Sequence, residues 1–169
     1  SSLLIDHFFV STEDAEISAT ASAMGCDIIK RPTELAGDSS PMLPTIQHAI
    51  TQFENKKNIE IEFVVLLQPT TPLRTGKDID NAIKILIESR ADSVVSVCQV
   101  YDHHPARMYR LIDDILVAYA AEPAGRLRQE LPPVFHRNGA IYACKRQLVY
   151  EKNTLIGPTT RPYIMSEEK

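Results

Sequence analysis

The chain has 169 residues, of which 44% are apolar and 24% charged, and its net charge is −4. That length suits a single domain with a true core, and the acidic balance argues against nucleic acid as the main partner, because backbone binders carry a basic excess. No stretch of about 18 apolar residues is present to span a membrane, and no basic-then-apolar leader marks secretion. Cys26, Cys98 and Cys144 are odd in number and far apart, each within an apolar segment. They read as reduced core thiols of a cytoplasmic protein.

In chain order, Asp6 to Thr12 is a short apolar run ending in Ser11-Thr12, a helix N-cap pair followed by Glu13-Asp14. A helix to about Met24 is predicted, closed by Gly25. Cys26 to Lys30 reads as a second strand, and Arg31 to Pro44 as a loop with three prolines. Pro44 then opens a helix with Ile46, Ala49, Ile50 and Phe53 at helical spacing. Ile61 to Leu67 is nearly all apolar, as a central parallel strand should be, and Gln68-Pro69-Thr70-Thr71-Pro72 stops it. A helix from about Lys77 puts Ile79, Ala82, Ile83 and Leu86 on one face, and Ser93 to Val97 is a further buried strand. The β-α-β-α-β-α-β order predicts a parallel sheet with helices on both faces. Residues 103–133 carry short strand-like pieces broken by prolines and read as an excursion from the sheet, after which Asn138 to Cys144 returns to core character. The chain opens at Ser1 and closes at Lys169 without a helix stop, so a segment of a longer protein is expected.

Ligands of open parallel sheets bind beyond the carboxyl ends of the strands. Gln68 follows the most apolar strand directly, where an amide can donate and accept; the same five residues also read as a simple turn. Arg31 and Asp38 to Ser40 lie in a loop longer than most connections, which suits either function or a solvated surface. Arg126, Arg128, Arg137, Lys145 and Arg146 stand against the single acid Glu130 within residues 126–146, fitting an anionic ligand, a solvated face or an oligomer contact. His103-His104 has no partner at metal-ligand spacing, so zinc is not expected. Asp78 and Asp80 fall in the first turn of a helix, where the dipole accounts for them. No nucleophile motif is present, and the six glycines are isolated, so there is no glycine-rich phosphate loop.

Seven segments then combine: Arg31-Pro-Thr-Glu-Leu-Ala-Gly-Asp38, Leu66-Leu-Gln-Pro-Thr-Thr-Pro-Leu-Arg74, Ser93-Val-Val-Ser-Val97, His103-His-Pro105, Arg128-Gln-Glu-Leu-Pro132, Asn138-Gly-Ala-Ile-Tyr142 and Arg161-Pro-Tyr-Ile-Met-Ser166. In this order and at this spacing they resemble the acylneuraminate cytidylyltransferases, the CMP-sialic acid synthetases. The resemblance implies one α/β catalytic domain over residues 1–169, incomplete at both ends. Its fold would be a Rossmann-like three-layer sandwich with a mostly parallel sheet, like the nucleotide-diphospho-sugar transferases. Residues from about 103 to 133 would be a small dimerisation excursion.

The implied activity is transfer of CMP from CTP to the anomeric hydroxyl of a sialic acid-like nonulosonic acid, with Mg²⁺ and release of pyrophosphate. A homodimer in the cytoplasm is implied, with no nucleic acid or membrane partner. By resemblance Arg31, Asp38 and Ser40 hold CTP, while Gln68, Thr70, Arg107, Arg128 and Asn138 face the sugar. Arg107 is the weaker match, since relatives carry a lysine directly after His-His-Pro. Relatives begin with a strand and a glycine-rich basic loop for the CTP phosphates and continue to an Asp-x-Asp pair that binds Mg²⁺. Both are expected outside this chain, so no catalytic residue or metal ligand is assigned within it. His136-Arg137-Asn138 departs from the commoner Arg-Pro-Asn and fits a legionaminic-type sugar. The competing readings are a synthetase for the eight-carbon acid KDO and a non-catalytic truncated module of the same fold.

Overall fold

Apolar alternation along the strands decides the layers. In the computed structural model, which describes residues 1–37, 39–121 and 127–166 (residue 128 by its backbone alone), the elements are β1 (Phe9–Thr12), α1 (Ala15–Ala23), β2 (Asp27–Lys30), α2 (Met42–Lys57), β3 (Phe63–Leu66) and α3 (Gly76–Ser89). They continue with β4 (Ser93–Val100), β5 (Tyr109–Ile112), β6 (Ile115–Ala118), β7 (Val134–Lys145), α4 (Arg146–Glu151) and β8 (Thr160–Met165). Phe63, Val65, Val94 and Ala143 turn to one face and pack with Ile79, Ala82, Ile83 and Leu86 of α3. Val64, Leu66 and Cys144 turn to the other and pack with Ile46 and Ile50 of α2 and Leu148 and Val149 of α4. Period-two alternation between two helical layers is what makes a three-layer sandwich.

The main sheet has the order β3-β7-β4-β8. β4 and β8 pair in parallel, while β7 runs antiparallel to both β3 and β4. Three of the four strands share one direction, but the reversed β7 makes two of the three ladders antiparallel, and β3, expected as a central parallel strand, pairs among the described residues with β7 alone. β1 and β2 form a separate parallel pair. Among the described residues the other edges of β1 and β3 carry no hydrogen-bonded strand. The link between the two sheets is α2, whose Ala49 and Phe53 pack with Ile29 and Phe9 while Ile46 and Ile50 pack over β7 and α4.

Several boundaries move for identifiable reasons. The N-cap of α1 is Asp14, whose carboxylate accepts from Glu16 N and Ile17 N at 2.8 Å each. Ser11 and Thr12 instead finish β1, with Thr12 Oγ1 accepting from Asp14 N at 3.1 Å. Pro41 rather than Pro44 precedes the first residue of α2. Gly25 follows the end of α1 with φ +83°, as its predicted role requires. Asp78 does more than complement a dipole. It forms a capping box with Thr75 and accepts the Tyr163 hydroxyl at 2.9 Å, pinning α3 to β8. Asp80 accepts from the Ser2 hydroxyl and from Leu3 N and Leu4 N, so the first residues are tied to α3.

The excursion is a hairpin, β5 against β6, whose eight residues are all exposed. His104 is built into its base: Nδ1 accepts from Ala106 N at 3.1 Å, and Nε2 lies 3.1 Å from Pro132 O. Of the cysteines, Cys144 is buried and the other two half-buried, all as free thiols. Burial pushes the Cys144 thiol up to about 12.

Candidate functional site

A cavity of about 490 Å³ opens where the strand tips meet, lined by Met42, Gln68, His136, Arg137, Asn138, Gly139 and Tyr142. Three elements converge there: the end of β3, the start of α2 and the irregular middle of β7. The Gln68 amide nitrogen lies 3.8 Å from Met42 Sδ, which joins the first two. Gly139 joins the third. Its φ is +78°, and a Cβ there would sit 2.9 Å from Gln68 Oε1, so the main chain of β7 approaches the amide as only a glycine allows.

The Gln68 turn is clamped from behind. Arg74 Nη1 donates to Gln68 O and to Thr71 O at 2.6 Å each, and Thr71 Oγ1 donates to Gly139 O at 3.2 Å. Desolvation pulls the Arg74 pKa below its ordinary value. The five residues are thus a tightly bonded turn, and that turn holds the Gln68 side chain at the cavity.

Of the residues expected in the site, the structure brings Gln68 and Asn138 together in this cavity. Asn138 Oδ1 accepts from Ser96 Oγ at 2.6 Å and from Ala140 N at 3.2 Å, so its oxygen is engaged inside the protein. Thr70 is exposed on the turn and Arg107 is exposed in the excursion; neither lines the cavity. Arg31 lies against the tip of β1, with Nε 3.4 Å from Ser11 Oγ and a guanidinium nitrogen 3.7 Å from Glu13. Ser40 closes its own loop through a 3.3 Å bond to Glu34 O, two residues before the cavity-lining Met42. Asp38 and the side chain of Arg128 lie outside the described residues.

The basic cluster does not act as one face. Arg146 makes a two-pronged pair with Glu54 at 2.7 and 2.9 Å, and Lys145 pairs with Asp92 at 3.3 Å. The Arg146 pair holds the Glu54 carboxyl below its usual range and ties α4 to α2. Arg126 is not described, and among the described residues Arg137 alone of the five lines the cavity. Met42 and Tyr142 were not singled out from the sequence, and Arg137 only as one of the basic cluster. Tyr142 lies four residues after Asn138 in β7, so strand alternation would have been the signal to consider it, whereas Arg137 comes to the cavity where the register of β7 breaks.

A sheet with helices on both faces and a polar cavity at its strand tips is a three-layer α/β fold. It superposes on a solved CMP:2-keto-3-deoxy-manno-octonic acid synthetase complexed with CTP, with a TM-score of 0.67, covering 98% of this chain and 75% of that one at 12% identity. In sequence the chain is similar to proteins named N-acylneuraminate cytidylyltransferase. It is 27% identical to that of Escherichia coli O18:K1:H7 over 98% of this chain, and 28% identical to N-acylneuraminate cytidylyltransferase A of Danio rerio over 95%. It is also 26% identical to the post-translational flagellin modification protein B of Campylobacter coli, over 98% of this chain and 71% of that protein. The chain spans only 38% of the E. coli protein and 36% of the Danio rerio one. No family model matches.

Proposed function

We propose that this chain supplies the cytidine and sugar sides of an enzyme that transfers CMP from CTP to the anomeric hydroxyl of a sialic acid-like nonulosonic acid, releasing pyrophosphate. The observation that carries this reading is the strand-tip cavity with an amide, a guanidinium and a phenol on its wall, in a chain whose relatives bear that activity in their names. Arg137 supplies the positive charge that an acidic sugar's carboxylate calls for, and Gln68 can both donate to and accept from sugar hydroxyls. Arg31 and Ser40, on the loop leading to Met42, take the cytidine side. In such a transfer the sugar hydroxyl attacks the α-phosphate in line with departing pyrophosphate, so the protein's part is positioning and charge neutralisation.

Mg²⁺ belongs to the proposal and would supply charge neutralisation at the phosphates. Among the described residues no three His, Cys, Asp or Glu side chains converge to hold a metal, so no step is assigned to it here. No helix among the described residues is long and apolar enough to cross a membrane, and a cytoplasmic location is part of the same proposal. A KDO-type substrate is the second reading, favoured by the identity of the structural neighbour.

The test is pyrophosphate release by the native protein with CTP, Mg²⁺ and a panel of eight- and nine-carbon acidic sugars. Turnover with a nonulosonic acid is expected, and no turnover with any sugar would refute the reading. In that assay Gln68→Ala should weaken sugar use by more than about tenfold, since a pocket polar partner left unpaired costs about 1–3 kcal/mol. An unchanged sugar KM and rate would remove Gln68 from the site.

The hairpin belongs to the proposal as a homodimer contact. The cross-strand pair Leu111 and Leu116 is 68% and 66% exposed on one face of the hairpin, and the pair Ile112 and Ile115 is exposed on the other, apolar surface of the kind that subunit contacts cover. Sedimentation should give a dimer that a Leu111→Ser, Leu116→Ser double variant converts to monomer. A wild-type monomer at micromolar concentration would exclude the contact.

A further inference from the structure

The cavity wall rests on an irregularity in the sheet. A step of two residues on β4, from Val95 to Val97, is matched by a step of five on β7, from Tyr142 to Arg137. The extra residues form a bulge, and bulges re-aim the side chains around them. Ser96 sits opposite this bulge with its side chain fully buried in a strand of valines. Its hydroxyl accepts from Ile141 N at 2.7 Å and donates to Asn138 Oδ1 at 2.6 Å, so it takes up a main-chain donor that the broken ladder releases and fixes the side chain that turns the bulge. Asn138 Oδ1 in turn holds Ala140 N, and the intervening Gly139 faces Gln68 and receives Thr71 Oγ1. A continuous polar chain thus runs from the middle of β4 through the bulge to the Arg74 clamp.

We infer that Ser96 is a positioning residue of the cavity: its buried hydroxyl holds the β7 bulge that sets Arg137, Asn138 and Gly139 against Gln68. An alkyl group in its place leaves the Ile141 N–H buried without a partner, and the bulge must rearrange to recover one. The inference rests on the proposed sugar site for its kinetic consequence but not for its structural one.

The experiment compares Ser96→Thr with Ser96→Val, which have the same shape and differ in the hydroxyl alone. Relative to Ser96→Thr, Ser96→Val should raise the sugar KM by about tenfold or more while the CTP KM stays within about twofold. The Gly139 and Arg137 amide resonances should move in Ser96→Val and stay near wild type in Ser96→Thr. Equal behaviour of the two variants, or a parallel rise of both KM values, overturns the inference. If the wild-type protein releases no pyrophosphate with any sugar, the functional reading falls, and the amide resonances alone decide this one. If Ser96→Val does not fold, Thr71→Val perturbs the same bulge from its other side. It should show the same split between sugar and CTP, and no change in either would overturn the assignment.

Discussion

A Phe53→Ala variant is expected to lose about 3–5 kcal/mol of folding stability, the range for truncating a fully buried aromatic. Phe53 is completely buried, with the Phe9 ring stacked at 4.7 Å and the His7 ring tilted at 5.5 Å. Its cluster with Ile29, Ala49, Phe9 and Ile61 is where α2 grips the β1–β2 pair. No ladder joins that pair to the main sheet among the described residues, so packing on α2 must do what hydrogen bonds do elsewhere. The loss should therefore be uneven. Amide exchange should accelerate first in β1 and β2, the second of which leads directly into Arg31, and last in β4, β7 and β8. Denaturant titration measures the total. A loss under about 1 kcal/mol, well below the usual range for such a truncation, or uniform acceleration across both sheets, would show that α2 is not the tie.

The second large effect is expected at Gly139, with Gly25 as its control. Both have positive φ, +78° and +83°, and alanine at either should cost about 1–2 kcal/mol through backbone strain. Their surroundings differ. A Cβ at Gly25 meets nothing within 4 Å, whereas one at Gly139 comes within 2.9 Å of the Gln68 amide oxygen. That oxygen ends a flexible side chain, so it is Gln68 that gives way and leaves its place in the cavity. The two variants should melt at similarly lowered temperatures, while only Gly139→Ala should lose sugar use, by about as much as Gln68→Ala. Equal catalytic losses in both would assign the effect to stability alone.

Much of this was legible before any coordinates. The four apolar residues marked on α2, Ile46, Ala49, Ile50 and Phe53, are all buried, as are Ile79, Ala82, Ile83 and Leu86 on α3. Helical periodicity is local, so sequence spacing carries it in full. Caps were less legible, because Ser11, Thr12 and Asp14 all qualify and only the length of β1 selects Asp14. β8 was missed as a strand, although its Pro162 fits its place: prolines in sheets are confined to edges, and β8 is the edge of the main sheet. The site was half legible. Gln68 could be found because it ends an apolar strand, and Asn138 through its motif. Ser96 could not, because a serine among valines shows its purpose only when Ile141 N and Asn138 are brought to it from 45 and 42 residues away.

The sequence by itself determined the β-α-β-α-β-α-β order as far as β4, the two apolar faces that make three layers, and the similarity to cytidylyltransferases, since each rests on local pattern or on motifs in register. Tertiary structure alone decided that β7 enters reversed between β3 and β4, that Lys145 and Arg146 are spent on ion pairs while Arg137 reaches the cavity, and that a buried hydroxyl shapes its wall. Strand pairing, charge pairing and the satisfaction of buried donors depend on partners far apart in the chain, and spacing along the sequence does not encode which of them meet.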